Sequence, residues 1–326
     1  MTGRRVIVYY TWSKPEEVNA PLEIIENRFP TLFESRRMLY PTFENLSDPA
    51  HFDQSVAGFL DNILKRNFAA FVEQASTQTG CPVVQVERIA GDGRKTALDA
   101  TLLEAADTVI ILSYDSLRTR QEAGDDEIRA LRSFLAHPDH LVIVCPHHDI
   151  GDAPDLPHDE RVKLQTAAFL HHGDKATPPQ QRLSGLARSL LAGLGVPVEN
   201  CFGLRAATNG DGTPAAIQVD RALDRLDLLH GVAAFNLHPH LPHLERLGDA
   251  VAKLDVLARQ PIDLNAPPHP FTRNGRMTFD AMLQSKVDVF AGTLLVADTT
   301  LWSSTVGGVD NLRQLWSNVV KRPSRA

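Results

Sequence analysis

The sequence predicts an α/β fold, a three-layer sandwich in which helices cover both faces of a mostly parallel sheet. Along the amino-terminal half, short runs rich in β-branched residues alternate with segments of helical periodicity. The runs are apolar at nearly every position, which is typical of strands buried on both faces. Short linkers join them, as in strand–helix–strand units, so we expect a parallel sheet with right-handed crossovers.

The elements of the amino-terminal half follow from these patterns in order. Strands are predicted at Arg5–Tyr10, Cys81–Ile89, Thr108–Ser113 and Leu141–Val144. Apolar residues at helical spacing predict helices at Phe52–Ala75, Thr96–Ala106 and Asp125–Ala136. Gly80 fits the position just past the end of the first of these helices, where a left-handed backbone conformation is common.

The carboxyl-terminal half is less regular. Asn209–Gly212 is typical of a hairpin turn, so antiparallel pairing is expected near Ala215–Val219. Apolar runs and helical periodicity predict strands at Gly231–Leu237, Lys253–Ala258 and Gly292–Ala297, and helices at Gln181–Leu194 and Asp310–Val320. We expect one elaborated α/β domain over residues 1–326, with insertions at about 12–50 and 152–204.

Composition excludes several classes of protein. The chain has 326 residues, is 43% hydrophobic and carries a net charge of −7, so a general nucleic-acid or anionic-membrane binder is not expected. Its three cysteines show no CxxC spacing, which argues against a disulfide framework and a thiolate zinc site. The sequence shows neither a signal-peptide core nor a run approaching a membrane span. We expect a cytoplasmic protein with a small-molecule ligand, and self-association stays open.

The strand that begins at Leu141 runs into a cluster of polar residues. Pro146 has no N–H to donate to a strand ladder, so regular pairing is expected to stop there. In open parallel sheets this carboxyl edge is where ligands bind. Alternation along an extended backbone places His147 and Asp149 on one side and His148 on the other. A loop with satisfied polar side chains is the alternative interpretation.

A second group of histidines follows the strand predicted at Gly231–Leu237. Pro239 holds the backbone extended between His238 and His240, so both imidazoles should point the same way. If the two strands are neighbours, these imidazoles meet His147 and Asp149. Such a set suits zinc or non-haem iron, and a bound metal could activate water for hydrolysis. A metal-free acid–base or ligand-binding pocket and purely structural histidines are the alternatives.

Two more carboxylates follow predicted strands at the same edge of the sheet. Asp115 comes after the third strand and Asp298 after the last one. Together with His148 they are candidate substrate-binding residues. Asp is also a common cap at the start of the next helix, which is the structural alternative.

The order of the elements resembles that of the class I glutamine amidotransferase-like superfamily, including its trehalose-utilisation-type (ThuA-like) members. The resemblance rests on three motifs, which are DTVIILSYD followed by LVIVCPHHD, FNLHPH, and LLVADTTLW followed by DNLRQLWSNVV. It implies a flavodoxin-type sheet. It also implies that Cys145 stands where the family carries its nucleophile and that His238 stands where it carries the catalytic histidine.

The sequence departs from the family at both catalytic motifs. Active members place the cysteine in G-x-C-x-G, whereas Val144 and Pro146 flank Cys145 here. His240 replaces the glutamate of the family's His-Pro-Glu motif. A complete Cys–His–Glu triad therefore cannot be carried over. A Cys145–His238 pair remains a candidate, because a thiolate needs a nearby base, and a small buried cysteine is the alternative.

Two functions are compatible with these residues. The first is a hydrolase of a small polar amide or sugar-like substrate, with Cys145, His147 and His238 as catalytic candidates and with or without a divalent metal. The second is a noncatalytic amidotransferase-like domain that binds a small molecule or a partner protein. Fold alone does not decide between them.

Overall fold

The computed structural model describes residues 3–19, 56–115, 119–149, 182–199, 203–238, 241–265, 270–272, 274–304 and 309–323. An eight-stranded sheet lies at its centre. In chain order its strands are β1 Val6–Ser13, β2 Val84–Ile89, β3 Thr108–Ser113, β4 Leu141–Pro146, β5 Gln218–Val219, β6 Leu254–Pro261, β7 Thr278–Ser285 and β8 Thr293–Ala297. They lie side by side in the order β2-β1-β3-β4-β8-β7-β6-β5.

The sheet has a parallel part and an antiparallel part. Strands β2, β1, β3, β4 and β8 pair in parallel, whereas β8, β7, β6 and β5 pair antiparallel to one another. Val144 of β4 lies beside Ile111 of β3 and Val296 of β8. The carboxyl ends of β3, β4 and β8 therefore meet at one edge of the sheet.

Helices cover both faces of the sheet. They are α1 Lys14–Val18, α2 Val56–Phe59, α3 Ala69–Thr79, α4 Ala100–Leu103, α5 Asp125–Leu135, α6 Gly185–Gly193, α7 Ala250–Lys253 and α8 Val309–Lys321. Val8 and Tyr10 of β1 pack in one core with residues of α3 and α8, which we call the first face. Ile7 and Tyr9 pack in a second core with residues of α5 and α6, the second face. The predicted α/β architecture with helices on both sides of the sheet is confirmed.

The long helix predicted after residue 51 is confirmed where the chain is described. A π-helical segment, Leu60–Leu64, and a 3-10 segment, Lys65–Phe68, join α2 to α3. Gly80 ends this run with a φ of +69°, and its N–H donates to the carbonyl of Ser76 at 3.0 Å. A residue without a Cβ is favoured there, as the sequence predicted.

The strand predicted at Gly231–Leu237 is wrong. Residues 232–238 form an irregular segment, and β3 and β8 lie on the two sides of β4. Val232 and Phe235 bury their side chains in the core of the first face instead. An apolar run thus marks burial here and not pairing.

The strand β7 was missed by the sequence patterns. It pairs with β6 over nearly its whole length, although residues 262–277 separate the two strands in the chain. The run Thr278–Ser285 mixes polar and apolar residues, which weakens the periodicity expected of a buried strand.

Two predicted helices are shorter than expected. The one at Thr96–Ala106 contracts to α4, because Thr96 still donates its N–H to Arg88 of β2 and Asp99 caps the helix through the Leu102 N–H. The helix expected from residue 181 begins at Gly185, since Arg182–Leu183 pairs with His148–Asp149 as a two-residue ladder.

The two predicted insertions lie largely outside the described residues. The structure says nothing of residues 20–55 and 150–181. Helix α6 packs on the second face, so this part of the segment 152–204 belongs to a helical layer. No helix in the described ranges is long and apolar enough to cross a membrane.

Candidate functional site

The backbone of His147 is held at the carboxyl end of β4. Its N–H donates to the carbonyl of Ser113 at the end of β3, at 3.2 Å. Its carbonyl accepts the N–H of Ser184, the residue before α6, also at 3.2 Å. These bonds fix the imidazole at the edge where β4 and β8 end together.

The Nδ1 atom of His147 faces two side chains that follow β8. It lies 3.0 Å from the hydroxyl oxygen of Thr299 and 3.6 Å from Oδ2 of Asp298. The second distance exceeds that of a formed hydrogen bond, so the contact is electrostatic. Within the described ranges, Oδ2 of Asp298 receives no hydrogen bond. A proton on Nδ1 faces the oxygens of both Thr299 and Asp298. We therefore infer that Nε2 carries the lone pair.

Asp298 is buried, and its environment keeps it ionised. It caps the short 3-10 helix Thr299–Trp302, because its Oδ1 accepts the Thr300 N–H at 2.9 Å and the Thr300 hydroxyl as well. Burial raises the pKa of Asp298, but the nearby imidazole of His147, the charge of His238 and the Thr300 hydroxyl together lower it below its ordinary value. A fixed negative charge therefore stands behind His147.

His238 approaches the same site from the irregular segment 232–238. Its ring centroid lies 5.8 Å from that of His147, at an interplanar angle of 70°. The predicted proximity of the two imidazoles is confirmed, although the segment that carries His238 is not a strand of the sheet. The carboxamide oxygen of Asn236 accepts the backbone N–H of His238 at 3.1 Å and thereby holds this end of the segment.

An aromatic side chain borders His147 on the side of β3. The ring of Tyr114 lies 4.6 Å from the imidazole, and the ring of Phe68 lies 5.9 Å from that of Tyr114. Phe68 is fully buried in the core of the first face. The imidazole therefore sits between an apolar wall and a carboxylate.

Cys145 is a poor candidate for the nucleophile. Its side chain is completely buried in the core of the first face. Burial raises the pKa of the thiol well above its ordinary value, the indole N–H of Trp302 offsets this in part, and the charge of Asp298 raises it further. A thiol that is protonated and closed to solvent does not attack a substrate, because the thiolate is the reactive form.

The side chain of Asp115 makes its hydrogen bonds to other residues in the interior of the protein. One carboxylate oxygen accepts the hydroxyls of Thr11 and Ser113 at 2.5 and 2.7 Å, and the other accepts the Leu186 N–H at 3.0 Å. The carboxylate thus meets the amino terminus of α6. A Cβ on Gly185 would lie 2.6 Å from the carbonyl oxygen of Gln121, so only glycine permits this close docking. Asp115 is 1% exposed, which makes it a structural link.

The remaining predicted residues fall where side chains are not described. The backbones of His148 and Asp149 form the short ladder with Arg182–Leu183, and their side chains lie outside the described part of the structure. His240 lies outside the described residues. Within the described part of the chain, no three His, Cys, Asp or Glu side chains form a group that could hold a metal ion.

Asn236 was missed by the sequence reasoning. It is fully buried and touches both halves of the site, since its amide donates to Thr300 at 2.7 Å while its oxygen accepts from His238. The available signal was a polar residue at the end of the apolar run GVAAF, two positions before a histidine. A buried polar residue needs partners, and such a residue beside a candidate histidine points to the site.

No protein-family model matches the chain, and no curated protein matches it either. The function is therefore argued from the geometry of the site.

Proposed function

We propose that the chain is a hydrolase in which His147 acts as a general base on water. One observation carries the proposal, namely that the Nδ1 atom of His147 faces a buried, ionised carboxylate and a hydroxyl, with a second imidazole beside it. A carboxylate that orients a histidine and stabilises its protonated form is a recurring basis for acid–base catalysis.

The two imidazoles suit the two proton transfers of amide hydrolysis. His147 takes a proton from water at Nε2 while the water oxygen bonds to the carbonyl carbon of the substrate. His238 gives a proton to the leaving nitrogen as the carbon–nitrogen bond breaks. The proton gained by His147 returns through solvent to His238, so the pair ends each turnover as it began. The charge of Asp298 stabilises the imidazolium that forms on His147.

The substrate class follows from the resemblance noted in the sequence. The parallel strands of the sheet lie in the order β2-β1-β3-β4-β8, which is compatible with a flavodoxin-type sheet. We propose a small polar amide or sugar-like substrate on that basis. The burial of Cys145 supports attack by water and not by a thiolate.

A metal-dependent version of this proposal uses the same edge. Neutral imidazoles are suitable ligands for zinc or iron, and such an ion would supply an activated water. His147 and His238 would hold the ion together with Asp149 and His240. Metal content measured on purified protein, and on its His238→Ala variant, tests this version apart from the acid–base one.

A second candidate function is a noncatalytic amidotransferase-like domain. The observation that favours it is the buried thiol of Cys145, at the position where active members of the family that the sequence resembles expose their nucleophile. In that case the two imidazoles would bind a small polar molecule or a partner protein without turnover.

The test is a hydrolysis screen with a panel of small primary amides, acetylated amines and simple glycosides. Wild-type protein is expected to release product from at least one of them, and His147→Gln is expected to lose at least 100-fold in kcat/KM, as removal of a general base does. The matched control is His230→Gln, which removes an exposed histidine that also lies near an aspartate.

The proposal fails if wild-type protein turns over none of these substrates while ligand-observed NMR shows that it binds one of them. The binding function would then replace it. It fails equally if His147→Gln and His230→Gln retain the same activity.

A further inference from the structure

A buried chain of hydrogen bonds joins the segment of His238 to the carboxylate behind His147. The Asn236 amide donates to the hydroxyl oxygen of Thr300 at 2.7 Å. The Thr300 hydroxyl donates in turn to Oδ1 of Asp298, and the Thr300 N–H adds a second bond to the same oxygen at 2.9 Å. Asn236 and Thr300 are 0% and 1% exposed, so water does not compete for these groups.

The direction of this chain is fixed by the groups in it. A hydroxyl has a single hydrogen, and the ionised Asp298 can only accept, so the Thr300 hydrogen goes to the carboxylate. The hydroxyl oxygen must then accept, and Asn236 must present its NH₂ group there. The carboxamide oxygen of Asn236 is left to accept the backbone N–H of His238 at 3.1 Å. Each donor and acceptor in the chain therefore has a single assignment that is compatible with all three hydrogen bonds.

We propose that Asn236 is a positioning residue that couples the two imidazoles of the site. It holds the backbone of His238 with its oxygen and, through Thr300, holds Oδ1 of Asp298 with its nitrogen. Asp298 is thereby kept in the rotamer that turns Oδ2 toward Nδ1 of His147. The inference rests on the proposed function, because it explains how the two catalytic imidazoles are aligned.

The chemistry of the link discriminates among side chains. An aspartate at position 236 has the size of asparagine but cannot donate to Thr300 when ionised. It would compete with Asp298 for the one hydroxyl hydrogen and place a second buried negative charge nearby, which is strongly unfavourable. Loss of the hydroxyl by Thr300→Val breaks the same chain at nearly constant volume. Thr300→Ser keeps the hydroxyl and is the conservative counterpart.

The experiment reads the ring nitrogens of His147 by ¹⁵N NMR at a single neutral pH in the full-length protein. Wild-type and Thr300→Ser are expected to show the proton on Nδ1. Asn236→Asp and Thr300→Val are expected to shift the His147 and His238 ring signals together and to populate the other tautomer. The control is Gln260→Met, since the Gln260 side chain donates to the backbone carbonyl of Asn236 and is not a member of the hydrogen-bond chain described above.

Steady-state kinetics on a substrate found in the hydrolysis screen give a second readout. Asn236→Asp and Thr300→Val are expected to lower kcat about tenfold to hundredfold with little change in KM, because misalignment affects the reacting geometry. Thr300→Ser should recover most of that loss. Thr300→Val decides the matter if Asn236→Asp does not fold.

The inference is overturned if folded Thr300→Val shows unchanged ring signals for both histidines, or if Gln260→Met perturbs them as strongly. This outcome differs from failure of the proposed function. The ring signals need no substrate, so a coupled pair in a protein without hydrolytic activity would keep the inference and refute only the catalysis.

Discussion

Asp115 and Asp298 are two buried carboxylates at the same edge of the sheet, and their environments shift their pKa values in opposite directions. Asp115 follows β3 and accepts two hydroxyls and a helix N–H, yet burial raises its pKa above the ordinary value despite these bonds. Asp298 follows β8 and accepts one hydroxyl and one N–H, yet its pKa is lowered. The difference is the two imidazoles beside Asp298.

The comparison shows what makes one carboxylate structural and the other a candidate for chemistry. Neutral donors compensate burial only in part, whereas an imidazole that gains a proton supplies an opposite charge at low dielectric. A third carboxylate, Asp227, lies 3.7 Å from Nδ1 of His230, almost the same separation as in the His147–Asp298 pair. Those two side chains are 74% and 73% exposed, against 7% for Asp298 and 15% for His147. The two pairs therefore differ in burial and not in distance.

The largest expected effect separates the two His–Asp pairs by activity. Asp298→Asn keeps the shape of the side chain but removes the charge that stabilises the imidazolium of His147, so kcat should fall by about 100- to 10,000-fold. Asp227→Asn should leave kcat unchanged, because water already screens that exposed pair. Steady-state rates on a substrate from the hydrolysis screen measure both. Equal rates for the two variants would break the distinction between the pairs.

The next effect concerns stability. Asp298→Ala leaves the Thr300 N–H and hydroxyl without their acceptor and removes the counter-charge of His147, so the free energy of unfolding should fall by about 3 kcal/mol. Asp227→Ala should change it by no measurable amount, since exposed pairs contribute little. Urea unfolding followed by circular dichroism gives both values. A loss for Asp298→Ala no larger than that for Asp227→Ala would show that Asp298 is solvated in solution.

The smallest effect tests the raised pKa of Asp115 through the pH dependence of stability. Between its ordinary pKa of 3.8 and its raised pKa in the folded state, Asp115 binds more proton in the folded protein than in the unfolded one. Its contribution to the free energy of unfolding is therefore fully present below the ordinary pKa and is lost as the pH rises through the folded pKa. The loss amounts to about 1.4 kcal/mol for each pH unit between the two values.

Asp115→Asn removes this titration, so the variant should lose less stability than wild-type between pH 4 and pH 7 in urea unfolding. The control is Asp227→Asn, which removes a carboxylate that is exposed to solvent. A slope that is the same in wild-type and Asp115→Asn would mean that the folded protein does not hold that carboxyl in the environment described.

Much of the layered architecture could be predicted from the chain because hydrophobic periodicity is local. The all-apolar runs in β1, β3, β4 and β8 indicate strands buried on both faces, and the structure places them in the parallel part of the sheet. The same patterns predicted α5 and α8 to within a few residues. Strand β7 was not predicted, since its polar residues interrupt the apolar run, although it pairs with β6 and β8, the strands before and after it in the chain.

The sequence by itself determined which residue types stand at the ends of the strands, and so the presence of His147 and Asp298 at the carboxyl edge. Only the tertiary structure decided that β8 and not the segment before His238 lies next to β4, that the thiol of Cys145 points into the core, and that Asn236 joins the two histidines. The reason is physical. An apolar run reports that a segment is buried, whereas its partner in space is chosen by strand pairing and packing between residues far apart in the chain.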